Sequence, residues 1–186
     1  IIRGTFVPNF SYKLQESPSY AQAQKHLDLI DGGFTQSGNP FPPLLRPERN
    51  VDIIVVCDIN ESSKGSPNLR AIDEWVKLNG FASRWPKINL NNADKQSVNV
   101  FGDPADLSKI VIIFLPRIKN GSLEAPYNFD VEAAVTGRGS WADTAKFKYS
   151  KQNADLLTGW SYRNLISHKK VIQDVVNARL AALNKK

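Results

Sequence analysis

Between Leu27 and Asp58 the chain reads LDLIDGGFTQSGNPFPPLLRPERNVDIIVVCD, two short apolar runs, each closed by an aspartate and joined by a segment rich in glycine and proline. Leu27 to Ile30 reads as a buried strand; Asp31 follows at once, and Gly32-Gly33 lets the backbone turn through conformations that other residues resist. The second run ends in the same way, at Asp58. In an open α/β sheet, a carboxylate fixed at the carboxyl end of a strand stands where such sheets place their active sites. The same D-G-G triplet is also an ordinary turn, in which an aspartate caps its own backbone. The residues by themselves leave Asp31 with either role.

The first 26 residues, punctuated by Pro8 and Pro18 with Phe6, Phe10, Tyr12 and Tyr20 between, read as an irregular arm lying across another surface. Residues 27–186 are expected to form the globular part of one domain, with no domain boundary read inside the chain. Ser66-Pro67 supplies a cap and a first-turn proline, Gly80 a stop, and Leu69, Ile72, Trp75, Val76 and Asn79 place an apolar stripe on a helix over 67–79. Ser97 to Phe101 alternates as a strand, and the β-branched run Ile110 to Leu115 reads as a fully buried one. Pro116 to Ser140 reads as a long, mobile surface loop whose Gly137-Arg138-Gly139 is too short for a phosphate cradle. Phe147-Lys148-Tyr149 reads as a short strand. From His168 to Asn184, Ile172, Val175, Val176, Leu180 and Leu183 recur at helical spacing, so one face of a terminal helix should be covered. Strands alternating with helices give the α/β class, a layered central sheet, mostly parallel or mixed, with flanking helices.

Composition narrows the function. A chain of 186 residues with 41% hydrophobic content can bury a core. No apolar run reaches the length of a membrane span, and the first residues lack the apolar core of a signal peptide. With no methionine and an Ile1-Ile2-Arg3 start, the chain is expected to be a processed or trimmed fragment. Net charge is +6, but the basic residues cluster only at His168-Lys169-Lys170 and Lys185-Lys186. That is too little for a nucleic-acid surface, and it suits an anionic membrane or micelle better. The single cysteine, Cys57, sits in an apolar strand and reads as a small core residue rather than a nucleophile. Sequons at Asn9, Asn60 and Asn120 suit a secreted or vacuolar glycoprotein, while the lone cysteine argues against an extracellular one, so a cytoplasmic location stays open.

The order D-G-G, proline loop, L-L-R-P-E-R and V-D-I-I-V-V-C-D resembles the phospholipase B and cytosolic phospholipase A2 family. The residues that carry it are Asp31, Gly32, Gly33, Pro43, Leu44, Leu45, Arg46, Pro47, Arg49 and Asp52. A thinner likeness continues through FASRWPKI, KIVIIFL and FKYSKQNADLLTGWSYRNLI. The resemblance implies the C-terminal part of a patatin-like or cytosolic phospholipase A2-like catalytic domain, its sheet completed by a missing upstream segment. It implies phospholipid or lysophospholipid hydrolysis by a serine-aspartate dyad in which Asp31 is the base. The serine would come on a second chain or upstream segment bearing a G-x-S-x-G elbow and oxyanion glycines.

No G-x-S-x-G occurs in these 186 residues, and two histidines, His26 and His168, are too few for a local Ser-His-Asp triad or a histidine-rich zinc site. A dyad needs only one carboxylate held about 2.6 to 3.2 Å from the serine oxygen. Asp31 meets that need on its glycine turn. Asp58 is the rival and lacks the glycines. Arg49 suits a phosphate, or a pairing with Asp52 or Glu48. No cofactor or metal is implied, and the different-class alternative is a non-catalytic lipid-surface or protein-interaction module of the same fold.

Overall fold

The computed structural model describes residues 5–9, 12–13, 23, 25–29, 41–58, 66–136, 140–142 and 148–185. The chain divides into two compact units, residues 1–38 and 39–186. In the first unit, β1 (Thr5–Pro8) pairs antiparallel with β2 (His26–Leu29), Thr5 opposite Leu29 and Pro8 opposite His26. The expectation of an irregular arm up to residue 26 is therefore corrected. Thr5, Phe6 and Val7 favour an extended backbone, and Pro8 is tolerated because it ends the strand of a two-stranded ribbon. The strand read over Leu27 to Ile30 is the partner in this ribbon. Ile30 and the turn carrying Asp31, Gly32 and Gly33 lie outside the described residues.

In the second unit, β3 (Ile53–Cys57) runs parallel to β5 (Val111–Leu115), and β4 (Asn99–Phe101) lies antiparallel on the other side of β5. The order β3-β5-β4 is thus a small mixed sheet, and the molecule is α/β. The central position of β5 explains its unbroken β-branched run: both of its faces are covered, and all five residues are buried. On one face, Ile54, Val56, Ile112, Phe114 and Phe101 meet Phe41 and Leu45, which belong to the short helix α1 (Phe41–Leu44) and its end, and the stripe of α2 (Pro67–Leu78). Leu69, Ile72 and Val76 of that stripe are buried, Trp75 stacks on Phe81 at 5.3 Å, and Gly80 ends the helix at φ +80°. Ser66 occupies the position before α2, but in the left-handed region and with no capping hydrogen bond from its hydroxyl, so the expected side-chain cap is not made.

The C-terminal third holds α3 (Val131–Val135), α4 (Lys151–Ser167) and α5 (Lys169–Leu183). Asp130 caps α3 by accepting from the Ala133 N–H at 3.0 Å, and Ser150 caps α4 by accepting from the Asn153 N–H at 3.1 Å. The segment read as a mobile loop contains α3, and its Leu123 and Val131 bury with Trp160 of α4 in a small core. Gly137-Arg138-Gly139 lies outside the described residues, as does Phe147; Lys148 and Tyr149 are not a strand but lead into the Ser150 cap.

Two further expectations change. The terminal stripe is covered only in part: Ile172 and Val175 pack beneath Val111, Ile113 and Leu115, while Leu180 and Leu183 face outward. Cys57 is exposed, because among the described residues β3 is a sheet edge and α5 covers the central strand without reaching Val55 or Cys57. Partial desolvation still pushes the thiol above its ordinary value, which disfavours the nucleophilic thiolate.

Candidate active site

The carboxyl ends of the parallel pair β3 and β5 lie side by side. The ladder continues one residue past Cys57, where the Asp58 N–H donates to the Leu115 carbonyl at 2.9 Å. Asp58 is 4% exposed and Arg117, two residues beyond Leu115, is 7% exposed. A carboxylate and a guanidinium are thus buried at the edge where open α/β sheets bind their ligands. Parallel register, and not sequence proximity, sets these two strand ends side by side. Asp58 is readable in the sequence as a strand-closing aspartate; Arg117 is not, since a charged residue after Pro116 resembles any loop residue.

Beyond Arg117 the chain is pinned by a buried polar cluster. Asn120 Nδ2 donates to Asn164 Oδ1 at 2.9 Å and to Ser167 Oγ at 3.1 Å, and it lies 3.5 Å from His168 Nε2. Asn120 Oδ1 accepts from the Ser122 N–H at 3.0 Å and from the Ser122 hydroxyl at 2.6 Å. The N-G-S sequence is therefore a structural turn. Its asparagine is buried and spent on internal hydrogen bonds, so it is closed to glycosylation in the folded chain. Asn9 is also buried, and Asn60 lies outside the described residues. His168 is a helix-end residue as expected, but it is interior, and desolvation holds its imidazole below the ordinary 6.5. The clue in the sequence is Asn164 and His168 at i and i+4 on the side of the helices that faces inward.

The remaining candidates are more peripheral. Arg49 ends an exposed 3-10 turn (Pro47–Arg49) closed by Asn50 in the left-handed region. Neither pairing weighed for it is made among the described residues: Asp52 lies 4.0 Å from Arg179 instead. His26 is exposed on β2. No group of three or more His, Cys, Asp or Glu side chains among the described residues could hold a metal ion. A cleft of about 690 Å³ opens beside Gly102 and Lys109, at the amino end of β5, away from the carboxyl edge. In its wall Asp73 accepts from Trp85 Nε1 at 2.9 Å and from Lys77 Nζ at 2.6 Å, and Lys109 Nζ donates to the Ser83 carbonyl at 2.6 Å.

Comparison with known proteins finds likenesses among phospholipases. No family model matches the chain. A lysophospholipase of Penicillium chrysogenum is 44% identical over 54 residues, 29% of this chain and 9% of that protein. Human cytosolic phospholipase A2 epsilon is 24% identical over 195 residues, covering 99% of this chain and 21% of its own length. Human GIVD cytosolic phospholipase A2 superposes with a TM-score of 0.71 over 95% of this chain and 26% of that one, at 15% identity. This chain is similar to fungal lysophospholipases and to human cytosolic phospholipases A2. The match to the Penicillium enzyme is short, whereas the likeness to the human GIVD enzyme is one of fold and embraces nearly all the residues. The chain spans about a tenth to a fifth of the curated phospholipases it matches and about a quarter of the solved one.

Proposed function

We propose that this chain is part of an acyl-ester hydrolase acting on phospholipids or lysophospholipids, with Asp31 as the base of a serine-aspartate dyad. The serine stands on an upstream segment or second chain. The observation that carries the reading is the uninterrupted run from Asp31-Gly32-Gly33 through Pro43-Leu44-Leu45-Arg46-Pro47 into β3, in a chain whose relatives by sequence and by fold are phospholipases.

The chemistry follows from one carboxylate. As the serine oxygen attacks the ester carbonyl, Asp31 takes the hydroxyl proton; when the tetrahedral intermediate collapses, the proton passes to the departing alkoxide, leaving an acyl-serine and an alcohol. Water then attacks the acyl-serine, Asp31 again takes a proton, and returning it to the serine oxygen frees the fatty acid. Oxyanion donors would accompany the serine-bearing segment.

The most informative substitution keeps the shape of the side chain and removes its basicity. In Asp31→Asn the hydrogen bonds of the turn can persist, but a serine proton has no acceptor. We expect lysophospholipid esterase activity of the complete enzyme to fall by about 10² to 10⁴, with the thermal midpoint unchanged. Retention of more than about a tenth of the activity would make Asp31 a turn residue, because that loss is too small for a missing base. A parallel fall of activity and melting temperature would likewise mark Asp31 as a turn residue and would turn attention to Asp58.

A further inference from the structure

From Lys148 onward lie eight of the chain's 24 lysines and arginines and only two of its 18 aspartates and glutamates, so the residues before it hold sixteen of each and the whole net charge of +6 is carried by the segment from Lys148 to Lys186, which holds the two C-terminal helices. Both acidic side chains are already neutralised one turn away, Asp155 by Lys151 at 2.5 Å and Asp174 by Lys170 at 2.9 Å. Lys169 and Lys185 are exposed.

The same helices invert the usual distribution of side chains. Inward, α4 and α5 bury Asn164, His168 and Arg179 beside Trp160 and Val175. Outward, Tyr162, Leu165 and Ile166 on α4, and Val176, Leu180 and Leu183 on α5, are each 37% to 65% exposed. Each trio follows the three-and-four spacing of one helix face. The helices join through His168 alone, whose N–H donates to the Leu165 carbonyl and whose own carbonyl accepts from the Ile172 N–H.

Outward apolar rows on a segment of net positive charge suit a partner that is both apolar and anionic. We propose that the exposed rows of α4 and α5 dock on an anionic phospholipid surface, the apolar side chains entering the headgroup and acyl boundary while Lys169 and Lys185 meet lipid phosphates. A bilayer interface offers apolar depth and negative charge in one place. The inference goes beyond the hydrolase reading, because it concerns where the chain touches lipid and not what it does there.

Flotation of the full chain with vesicles of phosphatidylcholine and phosphatidylserine, against phosphatidylcholine alone, tests it. We expect binding to the anionic vesicles that weakens with salt. The double variant Ile166→Ser/Leu180→Ser should bind at least about tenfold more weakly, since two exposed aliphatic side chains that would enter the lipid are lost. Lys169→Glu/Lys185→Glu should lose binding at low salt. Leu78→Ser, which removes an 85% exposed leucine from α2, is the control for a generic loss of apolar surface and should bind like the parent. Thermal midpoints of all variants should match the parent, as the residues point outward. Unchanged flotation of the double variant, or equal loss in Leu78→Ser, would overturn the inference. So would lipid-free dimerisation of the parent that the double variant abolishes, for the face would then be a protein interface. Because the readout is binding, an inactive Asp31→Asn chain that still floats refutes nothing here, and an active chain that does not float leaves the dyad untouched.

Discussion

Gly159 sits in the middle of α4, where alanine would ordinarily be better by roughly 1 kcal/mol. Here the sign should reverse. A Cβ at this position would press into the ring of Tyr127, 3.0 Å from its Cζ. Tyr127 is itself held, with the Arg163 guanidinium 4.5 Å from its ring centre and its body packed on the Leu123, Val131 and Trp160 core. Displacing the ring costs packing on the order of 1–3 kcal/mol, which exceeds the helix-propensity gain. Gly159→Ala should therefore lower the urea-unfolding free energy by about 1 kcal/mol. In a Tyr127→Ala background the same substitution should become stabilising. A stabilising effect in both backgrounds would mean that the ring exerts no constraint.

Arg179 does for the elements what Tyr127 does for one turn. Only 2% exposed, it carries its guanidinium from α5 to the carbonyls of Asp106 at 2.8 Å, Lys109, and Asp52 at 3.3 Å. It thereby ties the last helix to the amino ends of β3 and β5. One ammonium cannot span three carbonyls as a planar fork does. Arg179→Met should cost about 2–4 kcal/mol in chemical denaturation, and Arg179→Lys should recover less than half of it. Full recovery by lysine would reduce the clamp to a point charge. This residue also shows why the terminal stripe misleads. Periodicity counts apolar residues, so it assigns Leu180 and Leu183 to the interior and passes over an arginine that turns inward to satisfy backbone acceptors. Where apolar periodicity and burial coincide, as in α2 and β5, the elements are legible in the sequence. The β1-β2 ribbon is not, because pairing across a long connection leaves no local period. At the candidate site, Asp58 is visible as a strand-closing aspartate, but the Asn120 cluster joins residues 44 to 48 positions apart, which spacing cannot reveal.

For the molecule as a whole, acid should act in two stages. His168 is held below 6.5 by desolvation, so on acidification the unfolded chain takes up its proton first. The stability this group confers is complete above 6.5 and drains away as pH falls through its lower folded value. Asp106 is held below 3.8, chiefly by the Ser108 hydroxyl and backbone N–H, and its contribution is lost only as pH falls further, below 3.8. Urea midpoints measured from neutral to acid pH should decline in that order, and His168→Gln should flatten the upper stage alone; an unaltered upper stage in the variant would assign it to another group. Finally, the Arg179 fork has a consequence for biosynthesis. Its link to Asp52 spans 127 positions, so while the ribosome is still making the helices, the amino ends of β3 and β5 have been translated but lack their tie. The sheet's final closure must then wait for residue 179 to leave the exit tunnel, and a nascent chain stalled before it should remain a client for chaperones.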